Sequence, residues 1–330
     1  MSEAFRFRQE LKEKTTLASL MDAFRAEVKD KQSNELLSKT PDEIFTQMKN
    51  DNEIRGEYVK LEFLKLKKDD LAVITTDIHG DEDKQQKVLD YINTKKEEIS
   101  GEIHLIDMGD IVSGASGSEE NINALFNLLE GSRNGDFKLH LLQGNVEKNV
   151  PPVSGLYEKI KETENDVRAF IAMTDLFKSL PNSLFLQAEK DNIMLGHSTL
   201  PLINQKKFEE SGLKIYNKNA EEIDRLGIRE SSATWATFDG EREKSEYGGK
   251  KMFQLGKNTF QSILKTLNLK RILRGHDSAL IKDKAKNTGV HQLFLEDGEV
   301  DTFHTSKKAT EEFGIFAEIS GKGDIEFKKV

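Results

Sequence analysis

There is no cysteine anywhere in the 330 residues. Disulfides, thiolate metal ligands and cysteine nucleophiles are therefore all excluded. Long hydrophobic runs are missing too: none approaches the roughly 20 apolar residues that span a bilayer, so no membrane span is expected. Met1 to Lys12 is charged throughout, unlike a secretory signal peptide. Positive charge is in deficit, with 49 Lys and Arg against 58 Asp and Glu and a net charge of −9. Bulk electrostatics therefore oppose a phosphate backbone, and nucleic acid is not an expected partner. No internal repeat or low-complexity segment breaks the chain. A composition of 36% hydrophobic and 32% charged residues describes a globular body with a densely charged surface, long enough for one large domain or two. The expected location is a reducing cytoplasm, or a host cytosol reached by export without a cleaved signal.

What the chain does have is a series of short apolar runs, each ending in an acidic or His-bearing turn. Leu71–Thr75 leads into Thr76-Asp77-Ile78-His79-Gly80, and Ile103–Met108 leads into Gly109-Asp110-Ile111-Val112-Ser113-Gly114. Leu139–Gln143 leads into Gly144-Asn145-Val146-Glu147, while Ile193–Gly196 ends at His197 and Arg271–Gly275 at His276. Runs this short, β-branched or Leu-rich and closed by Gly, read as buried strands. Their polar ends then share the edge where α/β sheets build sites. Between them, Asp83 can cap a helix carrying Val88, Leu89 and Ile92, and Ile122, Leu125, Phe126 and Leu129 mark a second helix. A helix over 256–267 leads into the strand ending at His276. The last 40 residues, with turn signals at Asp297-Gly298 and Gly321-Lys322-Gly323, read as an antiparallel meander.

Residues 1–70 read as an N-terminal helical segment packed on a catalytic body covering 71–330. Leu17, Leu20, Met21, Phe24 and Val28 form a helical stripe, and Thr40-Pro41-Asp42-Glu43 is a helix start. Residues 204–250 are polar, with single aromatics including Trp235, and read as an irregular excursion over the site.

Asp77 and His79 stand two apart just past a strand and can reach one ion from one loop. Asp110 has two carboxylate oxygens and can bridge two ions; Asn145, His197 and His276 can complete a second set. A mixed nitrogen and oxygen set suits Mn, Fe, Zn or Co rather than Ca. Paired ions about 3.5–4 Å apart are a recurring device for phosphoester hydrolysis. The plain alternative for all six is polar loop residues capping strand ends. Asp-x-His-Gly alone is weak; five clusters in this order are strong. His104 and His140, inside apolar strands, read as hydrogen-bonded core histidines.

Taken together the clusters resemble the calcineurin-like metallophosphatases, and within them the phosphoprotein phosphatase branch. That branch carries Gly-Asp-x-His-Gly, Gly-Asp-x-Val-Asp-Arg-Gly and Gly-Asn-His-Glu, followed by two later His. The likeness extends from Leu71 to Val330, taking in Leu180-Pro181, Trp235 and the segment from Phe253 to His276. It implies an α/β fold: a two-sheet β-sandwich flanked by helices, with a dinuclear site at the loop edge. It also implies that Asp77, His79 and Asp110 hold one divalent metal and Asp110, Asn145, His197 and His276 the other. Mn2+ is the first expectation for both ions, with Fe or Zn as alternatives.

The departures are specific. The branch's proton-donating His falls at Val146, its orienting Asp at Ser113, and neither phosphate-clamping Arg is in its usual place. Relocated donors would be His304 or Glu147; Lys250, Lys251 and Arg274 are the candidates for holding phosphate. The expected activity is hydrolysis of phosphomonoesters on a phosphoprotein by a metal-activated hydroxide. Aryl phosphates such as phosphotyrosine would be favoured, because a phenolate with a pKa of about 10 leaves with little acid help. A phosphatase for a small phosphorylated metabolite and a pseudophosphatase that only binds metal and a phosphorylated partner are the rivals. The motif drift would suit a bacterial effector acting on host phosphoproteins.

Overall fold

The computed structural model describes residues 61–112, 119–149, 176–177, 179–198, 237–238, 254–255, 257–266, 268–306, 310 and 312–330. The helical stripe at Leu17 to Val28, the start signal at Thr40, and Trp235, Lys250 and Lys251 lie outside the described residues. So does Ser113. Two mixed sheets carry the fold. Strands β1 (Leu61–Lys65), β5 (Ser183–Gln187), β6 (Asn192–Gly196), β9 (Arg271–Arg274), β10 (Val290–Phe294) and β11 (Glu299–Phe303) form the first, in the order β1-β5-β6-β9-β11-β10. Strands β2 (Leu71–Thr75), β3 (Ile103–Asp107), β4 (Lys138–Leu141), β12 (Ile315–Ser320) and β13 (Ile325–Lys329) form the second, in the order β13-β12-β2-β3-β4. A two-residue pair, β7 (Thr237–Phe238) and β8 (Gln254–Leu255), stands apart.

Side-chain alternation explains why the central strands read as unbroken apolar runs. Ala72 and Ile74 of β2 face the first sheet and pack with Leu195, Leu273 and Phe303. Leu71 and Val73 face the other way, onto helices α1 (Glu82–Glu98) and α2 (Glu119–Arg133) through Val88, Ile92, Leu125 and Leu129. Both faces of the strand are covered, so no polar alternation survives. On the first sheet's side, helix α3 (Lys257–Thr266) buries Phe260, Ile263 and Leu264.

Three expectations are corrected. Helix α1 is capped by Asp81, whose side chain accepts from the Lys84 N–H, not by Asp83. Gly80 turns the chain at φ 73°, so the helix starts earlier and Asp83 falls in its first turn, where its charge favours the helix dipole. Leu61–Lys65, inside the stretch read as helical, is an edge strand pairing in parallel with β5. The C-terminal strands are not one meander: β10–β11 and β12–β13 are hairpins on different sheets. Turn residues fix pairing within a hairpin; they do not say which sheet it joins.

Because β2, β3 and β4 run parallel, their carboxyl ends meet at one edge. The ends of β6 and β9 lie alongside each other in the facing sheet. Backbone bonds stitch the two edges: Thr305 N–H to the Thr76 carbonyl at 2.9 Å, and Gly275 N–H to the His197 carbonyl at 3.0 Å. This is the frame of the site.

At the opposite edge, His104 of β3 and His140 of β4 are buried and 3.0 Å apart, Nδ1 to Nε2. Burial first, then the neighbouring His140 imidazole, pushes the His104 pKa down to about 4; Lys138 acts the same way, and Asp70 and Glu102 oppose it. A pKa below the unfolded value of about 6.5 means stability present above pH 6.5 and lost as pH falls toward 4. Two to three pKa units correspond to about 3 kcal/mol. Urea unfolding at pH 7 and pH 4.5 is expected to show that slope, flattened in His104→Gln; an unchanged slope in the variant would count against it.

Candidate metal centre

Five loops supply the site, and backbone conformation marks three of them. Among the described residues five non-glycines have positive φ, and four of these are candidate ligands: Asp77 at 54°, His79 at 52°, Asp110 at 57° and His276 at 67°. Each left-handed residue of this kind costs on the order of 1–2 kcal/mol. Strain concentrated on the polar tips of three loops suits a preformed binding constellation.

The β2 and β3 loops stay laddered past their strands. Asp77, His79 and Gly80 donate their N–H groups to the Gly109, Asp110 and Ile111 carbonyls at 2.9 Å each. Asp77 Oδ2 accepts from the Thr76 hydroxyl at 2.7 Å and from the His276 N–H at 2.9 Å. That leaves Oδ1 facing His79 Nε2 at 3.6 Å and His304 Nδ1 at 3.7 Å. Asp110 Oδ1 accepts the Val146 N–H at 2.8 Å. Its Oδ2 faces His197 Nε2 at 3.5 Å and His79 Nε2 at 3.9 Å. One carboxylate oxygen thus sits between two groups of ligands.

On the second side His197 Nε2 lies 3.1 Å from His276 Nδ1 and 2.9 Å from the Asn145 side-chain amide. The Asn145 amide can turn either atom toward this cluster. With nitrogen inward it donates to Asp110 Oδ2, His197 Nε2 and His276 Nδ1 at 3.2, 2.9 and 2.8 Å. With oxygen inward, four lone-pair atoms converge and need a cation between them. Ligands about 2.1 Å from a common ion stand roughly 3–3.5 Å from one another, which matches the separations here. The donor set therefore fits divalent ions: Asp77, His79 and Asp110 could hold one, and Asp110, Asn145, His197 and His276 another.

Electrostatics agree. Burial would raise the Asp77 carboxyl, but the His304 and His197 imidazoles outweigh it and hold it well below the usual range. Burial also pushes His197 and His276 below their ordinary values, His276 well below and with His197 adding to the effect. Anionic carboxylates beside neutral imidazoles are the ligating forms.

The remaining predicted residues fall into place as follows. His304, after β11, is buried beside Asp77 within the constellation. Arg274 is fully buried, its guanidinium 6.0 Å from the Phe260 ring centroid and 4.0 Å from Asp277 Oδ2. Its positive charge is thus held inside the protein at the end of β9, directly before the Gly275-His276 turn. Glu147 is occupied otherwise than as a proton donor: Oε2 accepts from the Asp110 and Gly144 N–H groups at 2.8 and 3.0 Å, and Oε1 from Ile111 at 2.9 Å. It braces the loop that aims Asp110. Burial, with Asp110 adding, pushes its pKa up to about 7. Glu147→Gln sets an amide NH2 against backbone donors, and about 2–3 kcal/mol of stability should go. Urea denaturation checks this; a loss within 0.5 kcal/mol, about the size of a neutral surface change, would contradict it. Val146 packs its side chain partly buried against the apolar core.

Sequence reasoning missed Asp107, Thr76 and Thr305. Asp107 is fully buried, accepts from the Thr75 hydroxyl at 2.7 Å and the Gly109 N–H at 2.9 Å, and so shapes the turn before Asp110. Burial pushes its pKa up to about 7. An acid inside an apolar strand, three residues before a ligand, was the available signal. Thr305 Oγ1 accepts the Thr76 N–H at 3.0 Å across the sheets, and nothing local announced that.

Comparison with known proteins identifies the family and the fold. A family model described as calcineurin-like phosphoesterase matches residues 72–279. A protein serine/threonine phosphatase from Saccharomyces cerevisiae, with similarity to human phosphatase PP5, superposes with a TM-score of 0.56 at 17% identity, covering 92% of this chain and 95% of its own. A cold-active protein-tyrosine phosphatase from a psychrophilic Shewanella gives 0.45 at 15% identity, covering 82% of each chain. No curated protein matches the sequence.

Proposed function

The chain belongs to the calcineurin-like phosphoesterase family, and from that premise we propose that it is a metal-dependent phosphoprotein phosphatase that favours aryl phosphates such as phosphotyrosine. The observation that carries the reading is the convergence of Asp77, His79, Asp110, Asn145, His197 and His276, with one Asp110 oxygen central to both halves. These six residues would hold two divalent cations, Mn2+ by preference, which would supply Lewis acidity to the phosphoryl oxygens and lower the pKa of the attacking water.

The chain's own residues do the rest. Asp77 and Asp110 are aimed by fixed N–H and hydroxyl donors, so their geometry is set before substrate arrives. Glu147 and Asp107 hold the Asp110 turn. Arg274 adds buried positive charge near the phosphate, and Lys250 and Lys251 are the proposed direct phosphate contacts. His304 is the imidazole left to move a proton at this edge.

Val146 supports the substrate preference. Where the phosphoprotein phosphatase branch keeps an acid, this chain offers only a side chain packed on the core and an N–H spent on Asp110. General acid catalysis is worth about 10²–10⁴-fold, most of it for an alkoxide leaving group. Matched phosphotyrosine and phosphoserine peptides assayed with Mn2+ should differ in kcat/KM by about a hundredfold in favour of phosphotyrosine. A phosphoserine preference would overturn the assignment. The same Val146 favours the second reading, a pseudophosphatase; absence of metal-dependent turnover on any aryl phosphate, with metal still bound, would select it.

A further inference from the structure

The sequence pattern makes His104 and His140 hydrogen-bonded core histidines, yet their surroundings are not those of a sealed core. They line a cavity of about 950 Å³ together with Asp70, Glu102, Lys67 and Lys138. The cavity lies at the amino end of β3. His104 and Asp110 are six residues apart along an extended chain, so about 20 Å separates this cavity from the metal centre.

Three imidazole and carboxylate groups there form one relay. Glu62 of β1 lies 2.5 Å from His140 Nδ1, and His140 Nε2 lies 3.0 Å from His104 Nδ1. A carboxylate only accepts, so His140 Nδ1 carries a proton and, in the neutral ring, its Nε2 accepts. His104 Nδ1 must then donate. That assigns the lone pair of His104 to Nε2, an atom that is buried and has no hydrogen-bond partner among the described residues. It points into a ring of acceptors: Asp70 Oδ2 is 4.0 Å away, and one ligand atom each from Asp70, Glu102 and His104 lie within 4.8 Å of one another. Asp70 is fixed, with Oδ1 and Oδ2 accepting the Glu102 and Lys67 N–H groups at 2.9 and 2.8 Å.

A buried lone pair facing carboxylates is a place where a cation would be held. The lysines pair with Glu102, Lys138 at 2.8 Å and Lys67 at 3.8 Å. Both lysines are more than half exposed, and such pairs are worth at most about 1 kcal/mol, weak enough for a divalent ion to displace.

We propose that His104 Nε2, Asp70 and Glu102 form a second, non-catalytic binding site for a zinc-class divalent transition ion, completed by water from the cavity. One imidazole with two carboxylates suits Zn2+, Co2+ or Mn2+ rather than Ca2+. The Glu62–His140 pair is the outer support that sets the ligand's tautomer, as carboxylates do behind metal-bound His. Since Glu62 belongs to the first sheet and His104 to the second, an occupied site ties the two sheets together at the end away from the catalytic edge.

The test is zinc stoichiometry by equilibrium dialysis of the whole chain at micromolar free Zn2+, with anomalous diffraction at the zinc edge. Glu102→Gln and His104→Gln are each expected to bind one equivalent fewer than the parent. That difference is independent of how many ions the other centre holds. Phosphatase turnover should be unchanged, and the zinc-induced rise in Tm smaller in both variants. Glu102 is at the rim, so Glu102→Gln keeps the test valid if His104→Gln folds poorly. Equal stoichiometry in parent and Glu102→Gln, or an anomalous map without a peak beside His104 Nε2, would overturn the site.

Discussion

Asp110→Asn should lower kcat by about a thousandfold or more. Asp110 Oδ2 faces His79 Nε2 at 3.9 Å and His197 Nε2 at 3.5 Å, so a single anionic oxygen serves both halves of the centre. An amide is isosteric but neutral, and half its orientations turn N–H donors toward the cations. Several kcal/mol of charge stabilisation vanish, and each 1.36 kcal/mol is a factor of ten in rate. The fold should survive, because the Val146 N–H that Asp110 Oδ1 accepts can still be accepted by the amide oxygen. Steady-state kinetics with added Mn2+, beside circular dichroism and metal content, give the readout. A variant within tenfold of the parent would mean that Asp110 does not bridge.

Gly275→Ala should be nearly as damaging, although only a methyl is added. A Cβ there would lie 2.1 Å from both Asp77 Oδ2 and Thr76 Oγ1. Neither atom can step aside freely: Thr76 Oγ1 donates to that oxygen at 2.7 Å and the His276 N–H at 2.9 Å. Misplacing a catalytic group by about 1 Å costs on the order of 10²-fold, and overpacking adds about 1–3 kcal/mol of destabilisation. Activity and the affinity of the Asp77 side for metal should fall together. Gly135→Ala is the control: its φ is 75° and nothing lies within 4 Å of the added methyl. It should lose a little stability and no activity. Full activity in Gly275→Ala would show that the carboxylate is not held where these bonds place it.

The six converging side chains were legible because each closes an apolar run whose strand must end at the shared edge. Alternation buried on both faces made β2 and β3 readable without tertiary information. Other features depend on partners far along the chain. Leu61–Lys65 is a strand because Ser183–Gln187 lies beside it. Glu147 looked like a replacement acid until its oxygens were found on the Asp110 turn. The meander failed because β11 joins β9 and β12 joins β2. The left-handed conformations of Asp77, His79, Asp110 and His276 were equally hidden, since no glycine marks those positions. The Glu62–His140–His104 relay needs three strands from two sheets, which no local pattern announces.

Anomalous diffraction at the manganese edge, from crystals of the whole chain equilibrated with saturating Mn2+, bears most directly on the central claim. Two neighbouring peaks are predicted, one among Asp77, His79 and Asp110, the other among Asp110, Asn145, His197 and His276. A single peak, or none among these six side chains, would contradict a paired-cation centre.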